Sequence, residues 1–125
     1  MSDNRAVGAV SEVNRAELRR YVERVSDRWQ LSGALLGGAK VADEQGAPAQ
    51  RERGPEFVVI LVSQTYDGMP WLERVYQAGS LWDALEMGAA AEVHCYTPAE
   101  FERKRQSLAP VRQAAEDGID LLTLS

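Results

Sequence analysis

This chain of 125 residues has few of the residues that define disulfide-rich, membrane-spanning or nucleic-acid-binding proteins. Its single cysteine cannot form an internal disulfide, and we therefore expect a reducing cytoplasmic environment. No apolar run approaches the roughly 20 residues of a membrane span, so we expect no membrane contact. The net charge of −5 argues against nucleic-acid binding, which depends on neutralising phosphates.

The composition that remains is typical of a soluble globular protein, with 45% hydrophobic and 26% charged residues. A mass of 13.8 kDa allows one packed core and excludes two. We therefore predict a single domain over residues 1–125. The first ten residues show no helical or strand pattern, and we predict that residues 1–10 are disordered.

Helix starts are the clearest local signals. Asn14 and Glu17 form a capping-box pattern that predicts a helix to about Gln30. Apolar residues at helical spacing predict a long helix from Trp71 to about Gly88. Thr97, Pro98 and Glu100 have the residue types of an N-cap, a first helical position and the end of a capping box, so another helix should follow. A last helix is predicted from Pro110 to Asp117, with Gly118 ending it.

Strand patterns lie between these helices. We predict strands over Leu31–Leu36, Phe57–Val62 and Glu92–Tyr96, with a short closing strand after Gly118. The second is apolar at every position, which is typical of a central strand covered on both faces. The segment from Ala39 to Pro55 is polar and without a period, so residues 39–55 are predicted to be a mobile loop. The fold class is α/β (α+β), with a small mixed sheet of three to four strands and helices mainly on one face.

The order of these elements resembles the minimal nucleotidyltransferase domain of the DNA polymerase β superfamily. The most specific part of the resemblance is the run Tyr96-Thr97-Pro98-Ala99-Glu100-Phe101, which follows the third strand. The resemblance extends from about Glu17 to Leu124, nearly the whole chain. It implies a nucleotidyltransferase-like fold in a member whose active site is degenerate.

The family's chemistry requires particular residues at three places. A Gly-Ser turn after the first strand lets backbone amides approach a triphosphate. An Asp-x-Asp on the second strand places two carboxylates on one face, because side chains alternate along a strand. With a third carboxylate on strand three, these residues hold two magnesium ions that clamp the attacking and leaving oxygens. Losing one metal would slow the step by roughly a thousandfold, at about 1.4 kcal/mol for each tenfold change in rate.

The glycine turn is the first place where this chain departs from that pattern. Gly37 and Gly38 stand where Gly-Ser belongs, so the serine hydroxyl is missing. The resemblance implies that Gly37, Gly38 and Lys40 would contact a nucleotide. The alternatives are a flexible strand exit for the two glycines and a solvated loop position for the lysine.

The metal ligands depart further from the family pattern. Glu56 stands at the first aspartate position, Val58 at the second, and Glu92 at the third carboxylate position. The resemblance implies metal-ligand roles for Glu56 and Glu92 and provides no confident catalytic residue. Glu56 could instead face water at the start of its strand, and Glu92 could pair with an arginine at the sheet edge. His94 shares the strand face of Glu92, as a base or ligand or as an ordinary half-buried imidazole.

Three functional hypotheses follow. The first is a catalytically degenerate nucleotidyltransferase-fold protein that binds a nucleotide or a protein, in the manner of an antitoxin beside a small helical partner. The second is an active transferase that moves a nucleoside monophosphate from NTP to a hydroxyl, with Mg²⁺ and ATP as cofactors and Asp43 or Glu44 as an extra acid. The third is a structural protein that associates with itself as a homo-oligomer. The missing serine and Val58 favour the first, for which no cofactor is predicted.

Overall fold

The structure is a computed structural model, and it describes residues 12–47 and 53–124. These residues form ten helices and strands. In order they are α1 (Arg15–Ser26), β1 (Gly33–Gly37), α2 (Ala39–Glu44), β2 (Phe57–Val62), α3 (Trp71–Ser80), α4 (Ala84–Met87), β3 (Ala91–Tyr96), α5 (Pro98–Ser107), α6 (Ala109–Asp117) and β4 (Ile119–Asp120). Short 3₁₀ turns follow β2 and β4.

The four strands form one mixed sheet in the order β3-β2-β1-β4. Strand β1 pairs antiparallel with both β2 and β4, whereas β2 pairs parallel with β3. The parallel register places Val58 beside Glu92 and Ile60 beside His94. Because side chains alternate along each strand, these four residues project from the same face of the sheet.

The larger hydrophobic core lies on the opposite face. There the alternate β2 residues Phe57, Val59 and Leu61 pack against side chains of α1 and α3, including Leu18 and Ala78. Two pairs of aromatic rings, Tyr21 with Trp82 and Trp29 with Tyr66, add edge-to-face contacts within this core. The apolar face of α1 is buried here, as the helical spacing of its hydrophobic residues predicts.

A smaller core lies on the Val58 face. Val58, Ile60 and Val62 pack there against Val111 and Ala114 of α6. This packing explains why all six residues of β2 are buried. The central, doubly covered position predicted for β2 is therefore confirmed.

Most predicted elements are confirmed. Strand β2 has the predicted bounds, and β1 and β3 differ from prediction by one or two residues. The capping box of α5 is complete, because the Thr97 hydroxyl accepts a hydrogen bond from the Glu100 amide while the Glu100 carboxylate accepts one from the Thr97 amide. The mixed four-stranded sheet and the α/β class are as expected.

Two predictions of segment structure are wrong. The segment 39–55 does not begin as a loop, because α2 occupies its first six residues and buries Val41. The long helix predicted from Trp71 to Gly88 is divided into α3 and α4. The Asp83 side chain caps α4 by accepting from the Glu86 amide, and Arg24 donates to the Leu81 carbonyl in the intervening turn. Residues 1–10, predicted to be disordered, lie outside the described residues.

Arg74 joins three elements around the end of β3. It is only 7% exposed, and its guanidinium donates to the carbonyl oxygens of Met69 and Cys95 and to the Glu100 carboxylate, at 2.9, 3.1 and 2.8 Å. Burial raises the pKa of Glu100, but the hydrogen bonds from Arg74 and the Thr97 amide lower it more, so the net shift is downward. The ion pair thus fixes α3 against the start of α5.

The Arg74 pair predicts a pH dependence of stability. Because the folded-state pKa of Glu100 lies below its ordinary value of 4.5, its contribution is fully present above that value and is lost as pH falls through the lower folded-state pKa. Glu100→Gln should therefore lower the free energy of unfolding by about 1 kcal/mol at pH 7 and progressively less in acid. Urea unfolding between pH 3 and 7 measures this, with the exposed Glu102→Gln as the control. An equal loss at every pH would contradict the assignment.

Among residues 12–47 and 53–124, no helix has the length and apolar character needed to cross a membrane.

Candidate functional site

The turn between β1 and α2 is closed by the chain segment that leads into β2. Gly38 has a φ of +107°, and a Cβ added there would lie 2.6 Å from the Glu56 carbonyl oxygen. The amide of Ala39 donates to the Pro55 carbonyl at 2.9 Å, and the amide of Lys40 donates to the Glu56 carbonyl at 3.0 Å. Glycine is needed at position 38 because the two backbones touch.

These two hydrogen bonds affect what the turn can bind. The first amides of a helix are normally without helical partners, which is why such a turn can hold a phosphate. Here the amides of Ala39 and Lys40 already have carbonyl acceptors. A triphosphate would have to displace the segment at Pro55 and Glu56 before it could use them.

Glu56 lies beside the turn and is held by an arginine. Arg53 donates to the Glu56 carboxylate at 2.8 Å and to the Asp43 carboxylate at 2.7 Å. These hydrogen bonds lower the pKa of both carboxyl groups and raise the pKa of Arg53. Lys40 adds a weaker attraction to the same two carboxylates. Asp43, Arg53 and Glu56 therefore form a surface ion cluster in which two carboxylates share one guanidinium and the net charge is −1.

Val58 is covered where the family pattern would place a carboxylate. It is 3% exposed and packs against α6 in the smaller core. Its neighbour across the register, Glu92, extends beyond that core, with half of its side chain exposed. On the sheet face that would hold metal ligands, β2 carries the apolar side chains of Val58, Ile60 and Val62.

Glu92 is hydrogen-bonded within its own strand. Its carboxylate lies 2.8 Å from Nε2 of His94, and Nδ1 of His94 lies 2.8 Å from the Tyr96 hydroxyl. A carboxylate can only accept, so Nε2–H of His94 donates to Glu92, and in the tautomer that carries its single proton on Nε2 the Nδ1 atom accepts from the Tyr96 hydroxyl. Burial raises the pKa of Tyr96 to about 12, which keeps this hydroxyl protonated. The sequence did not predict this row of three hydrogen-bonded side chains.

Trp71 lies against this row rather than in the core. Trp71 stands at the start of the apolar helical pattern, but it is 41% exposed, and its ring centroid lies 5.4 Å from that of Tyr96. The helical spacing of Trp71 at the start of α3 could not reveal that its ring contacts His94 and Tyr96 of β3, on the face of the smaller core. Trp29 is buried in the larger core, and Trp82 packs against it.

The donors present do not form the two-metal cage of the family pattern. No group of three or more His, Cys, Asp and Glu side chains in the described ranges is arranged to hold a metal ion. Glu56 binds Arg53, Glu92 binds His94, and the position between them carries a valine. The additional acids considered from the sequence are also engaged, since Glu44 binds Arg15 and the Val13 amide. These residues do not fit a magnesium pair.

A cleft lies between the glycine turn and α6. Its volume is about 840 Å³, within the range of small-molecule sites. Gly37, Gly38 and Val58 line it on the sheet side, and Pro110 and Ala114 line it on the α6 side. The two glycines that were predicted to contact a nucleotide therefore lie at the cleft. The two predicted metal ligands, Glu56 and Glu92, are not among the residues that line it.

Sequence reasoning missed two features of this region. Arg53 lies three residues before Glu56, and that spacing between opposite charges could have suggested the ion pair. The second feature, the covering of Val58 by α6, depends on contacts between residues more than 50 positions apart. Only the apolar character of all six β2 positions pointed to it.

Glu92→Gln should have little effect on stability or on nucleotide affinity if Glu92 is only a hydrogen-bond partner of His94. We expect the free energy of unfolding to fall by less than about 1 kcal/mol, because this is a half-exposed hydrogen bond that glutamine can partly replace. Thermal unfolding with and without magnesium should give the same difference between wild type and variant. A magnesium-dependent difference, or a large loss of nucleotide affinity, would instead identify Glu92 as a metal ligand.

Comparisons with known proteins concern the fold. No protein-family description and no curated protein matches the sequence. The structure is similar to the crystal structure of a provisionally assigned nucleotidyltransferase from Sulfolobus solfataricus, with a TM-score of 0.50. The two sequences are 13% identical, and the match covers 83% of this chain and 76% of that chain. The BolA domain of SufE1 from Arabidopsis thaliana is 21% identical over 68% of this chain and 95% of that chain, with a TM-score of 0.46. With its mixed sheet and helix order, the chain has a nucleotidyltransferase-like fold.

Proposed function

We propose that this nucleotidyltransferase-like chain does not transfer nucleotides and acts as a binding module. The observation that carries the proposal is the burial of Val58 beneath α6, at the position where the second metal-binding carboxylate would stand. A buried valine provides no oxygen ligand, and a carboxylate placed there would lose its hydration. Two-metal phosphoryl transfer has no adequate ligand set on this face.

The closed glycine turn supports the same proposal. The amides of Ala39 and Lys40 donate to carbonyl oxygens of the chain itself. Arg53, which lines the cleft beside the turn, is shared between Asp43 and Glu56. The backbone donors and the guanidinium that could neutralise a triphosphate are thus already engaged.

The exposed face of α3 supports a role in protein binding. Leu72 and Tyr76 lie four residues apart on one side of the helix and are 76% and 77% exposed. Trp71 extends this apolar surface toward the edge strand. Contiguous apolar side chains of this size commonly mark interaction sites. We expect either a small helical protein or a second copy of this chain to cover them, and light scattering after size exclusion separates these outcomes.

A labelling assay tests the absence of turnover. The purified chain is incubated with ATP labelled at the α-phosphate, in Mg²⁺ or Mn²⁺, alone and with a bacterial lysate as a source of acceptors. An active enzyme of the same fold is the positive control. We expect no label that depends on the chain. Metal-dependent label that is lost in Glu92→Gln would overturn the proposal and establish the transferase alternative.

A further inference from the structure

Helix α3 carries exposed apolar side chains that no part of the chain described by the structure covers. Trp71, Leu72 and Tyr76 are all exposed, and we call these three residues the α3 surface. Gln77, on another side of the helix, accepts a hydrogen bond from Arg28 of α1. Because successive helical residues are rotated by about 100°, Leu72 and Tyr76 point away from α1 and into solvent.

The charges of the elements around the α3 surface are almost all negative. The segment from Ser63 to Cys95, which contains α3, α4 and β3, has five carboxylates and one guanidinium, so it carries −4 of the net charge of −5. The guanidinium belongs to Arg74, which is buried and paired with Glu100. The apolar side chains of the α3 surface therefore lie in an acidic part of the molecule.

Glu73 and Glu92 have carboxylates that no lysine or arginine neutralises. In the ranges that the structure describes, Glu73 accepts a hydrogen bond only from the Gln77 amide, at 3.3 Å. Glu92 accepts from His94 through one oxygen, Oε2, and its other oxygen has no partner there. The His94 ring also contacts Trp71, with 6.4 Å between the ring centroids. Two carboxylates thus border the α3 surface, one on α3 and one on β3.

The shape and the charge of the α3 surface select one kind of partner. Leu72 and Tyr76 are four residues apart, so their side chains form a ridge of the kind that packs into the groove of another helix. Ser80, the next residue in that row, is small and leaves room for a side chain of the partner. A second copy of this chain would bring two surfaces of the same sign together, which is unfavourable.

We propose that the α3 surface binds a basic amphipathic helix of a partner protein. The apolar face of that helix packs against Leu72 and Tyr76, and its lysine or arginine side chains pair with Glu73 and Glu92. The exposed ring of Trp71 provides an aromatic face on which a guanidinium can stack. This inference rests on the proposed function, because it names the chemistry of the partner for the same face of α3.

Three synthetic helical peptides of about 14 residues, or about four helical turns, test the chemistry of the partner. The first has leucines on one face and lysines on the other, the second has glutamates in place of the lysines, and the third has the composition of the first in a scrambled order. Each peptide carries fluorescein and is titrated with the full chain. We expect the first to bind at least about tenfold more tightly than the other two. Equal binding of the lysine and glutamate peptides would overturn the proposal.

Leu72→Ser combined with Tyr76→Ser removes the apolar ridge. We expect the lysine peptide to bind this variant about tenfold more weakly than wild type, because the ridge is the apolar part of the contact. The matched control is Leu122→Ser, which changes an exposed leucine beside β4 at the other edge of the sheet. All three side chains are exposed, and circular dichroism checks that both variants fold. Equal weakening by the two variants would overturn the assignment to the α3 surface.

Glu73→Gln combined with Glu92→Gln removes the two bordering charges. We expect the lysine peptide to bind this variant about fivefold more weakly at physiological salt, and the difference to shrink at high salt, where exposed charges are screened. The matched control is Glu102→Gln combined with Glu116→Gln, which removes the same charge from α5 and α6. An equal effect of this control would show attraction to the net charge alone and overturn the roles of Glu73 and Glu92.

Two further results separate this inference from the proposed function. A wild-type dimer in light scattering that becomes a monomer in the Leu72→Ser and Tyr76→Ser variant would identify a second copy as the occupant. It would overturn the inference and leave the chain a binding module. Metal-dependent transfer of label from ATP would overturn the proposed function, whereas failure of the lysine peptide to bind overturns the inference alone.

Discussion

Val58→Asp is expected to lower the free energy of unfolding by about 4 kcal/mol, which is near the upper end of the range for single substitutions. Val58 is 3% exposed and packs against Val111 and Ala114. A carboxylate there would be buried without a partner, so its pKa would rise and part of the loss would be recovered in acid. Urea unfolding at pH 7 and pH 5 measures both effects.

Val58→Thr is the matched control, because threonine keeps the branched shape and adds only a hydroxyl. We expect it to cost about 1–2 kcal/mol, the penalty for burying a hydroxyl with an imperfect partner. If Val58→Asp were as stable as wild type and gained magnesium-dependent stability, the sheet face at Val58 would be open to metal, contrary to the packing described above.

Gly38→Ser restores the residue type of the family's phosphate turn and should also be strongly destabilising. The Cβ atom would lie 2.6 Å from the Glu56 carbonyl oxygen and 2.7 Å from the Phe57 Cα. Both are backbone atoms, so relief requires moving the start of β2. The φ of +107° with ψ near 180° is also a region that almost only glycine occupies. We expect a loss of about 3 kcal/mol in urea unfolding.

Gly68→Ser separates the two causes. Gly68 also has a positive φ, of +85°, but nothing lies within 4 Å of an added Cβ. Backbone strain alone should cost about 1 kcal/mol there. If Gly38→Ser cost no more than Gly68→Ser, the segment at Glu56 would not be held against the turn. The amides of Ala39 and Lys40 would then be available to a phosphate.

The local patterns of the sequence were sufficient to predict most of the sheet. β2 was predicted at its observed bounds because all six residues are apolar and polar or turn residues flank them. The start of α5 was predicted because Thr97 and Glu100 satisfy each other within four residues. Such signals need no knowledge of the rest of the chain. They predict the individual helices and strands, and the order of these helices and strands predicted the fold.

The contacts of the candidate site could not be predicted in the same way. The closing of the turn depends on Gly38 meeting Glu56, 18 positions away, and the covering of Val58 depends on α6. Helix α2 was missed because Ala39–Glu44 is short, so it lacks the two or three turns that make a helical pattern recognisable. The three-residue spacing of Arg53 and Glu56 could suggest their ion pair, but nothing in the sequence indicates that Asp43, ten positions before Arg53, joins it.

Calorimetric titration of ATP with Mg²⁺ into the wild-type chain tests the central claim most directly. The engaged amides, the neutralised Arg53 and the apolar face at Val58 predict no saturable heat at millimolar nucleotide. Saturable binding that requires magnesium, and that weakens in Glu92→Gln, would contradict the account.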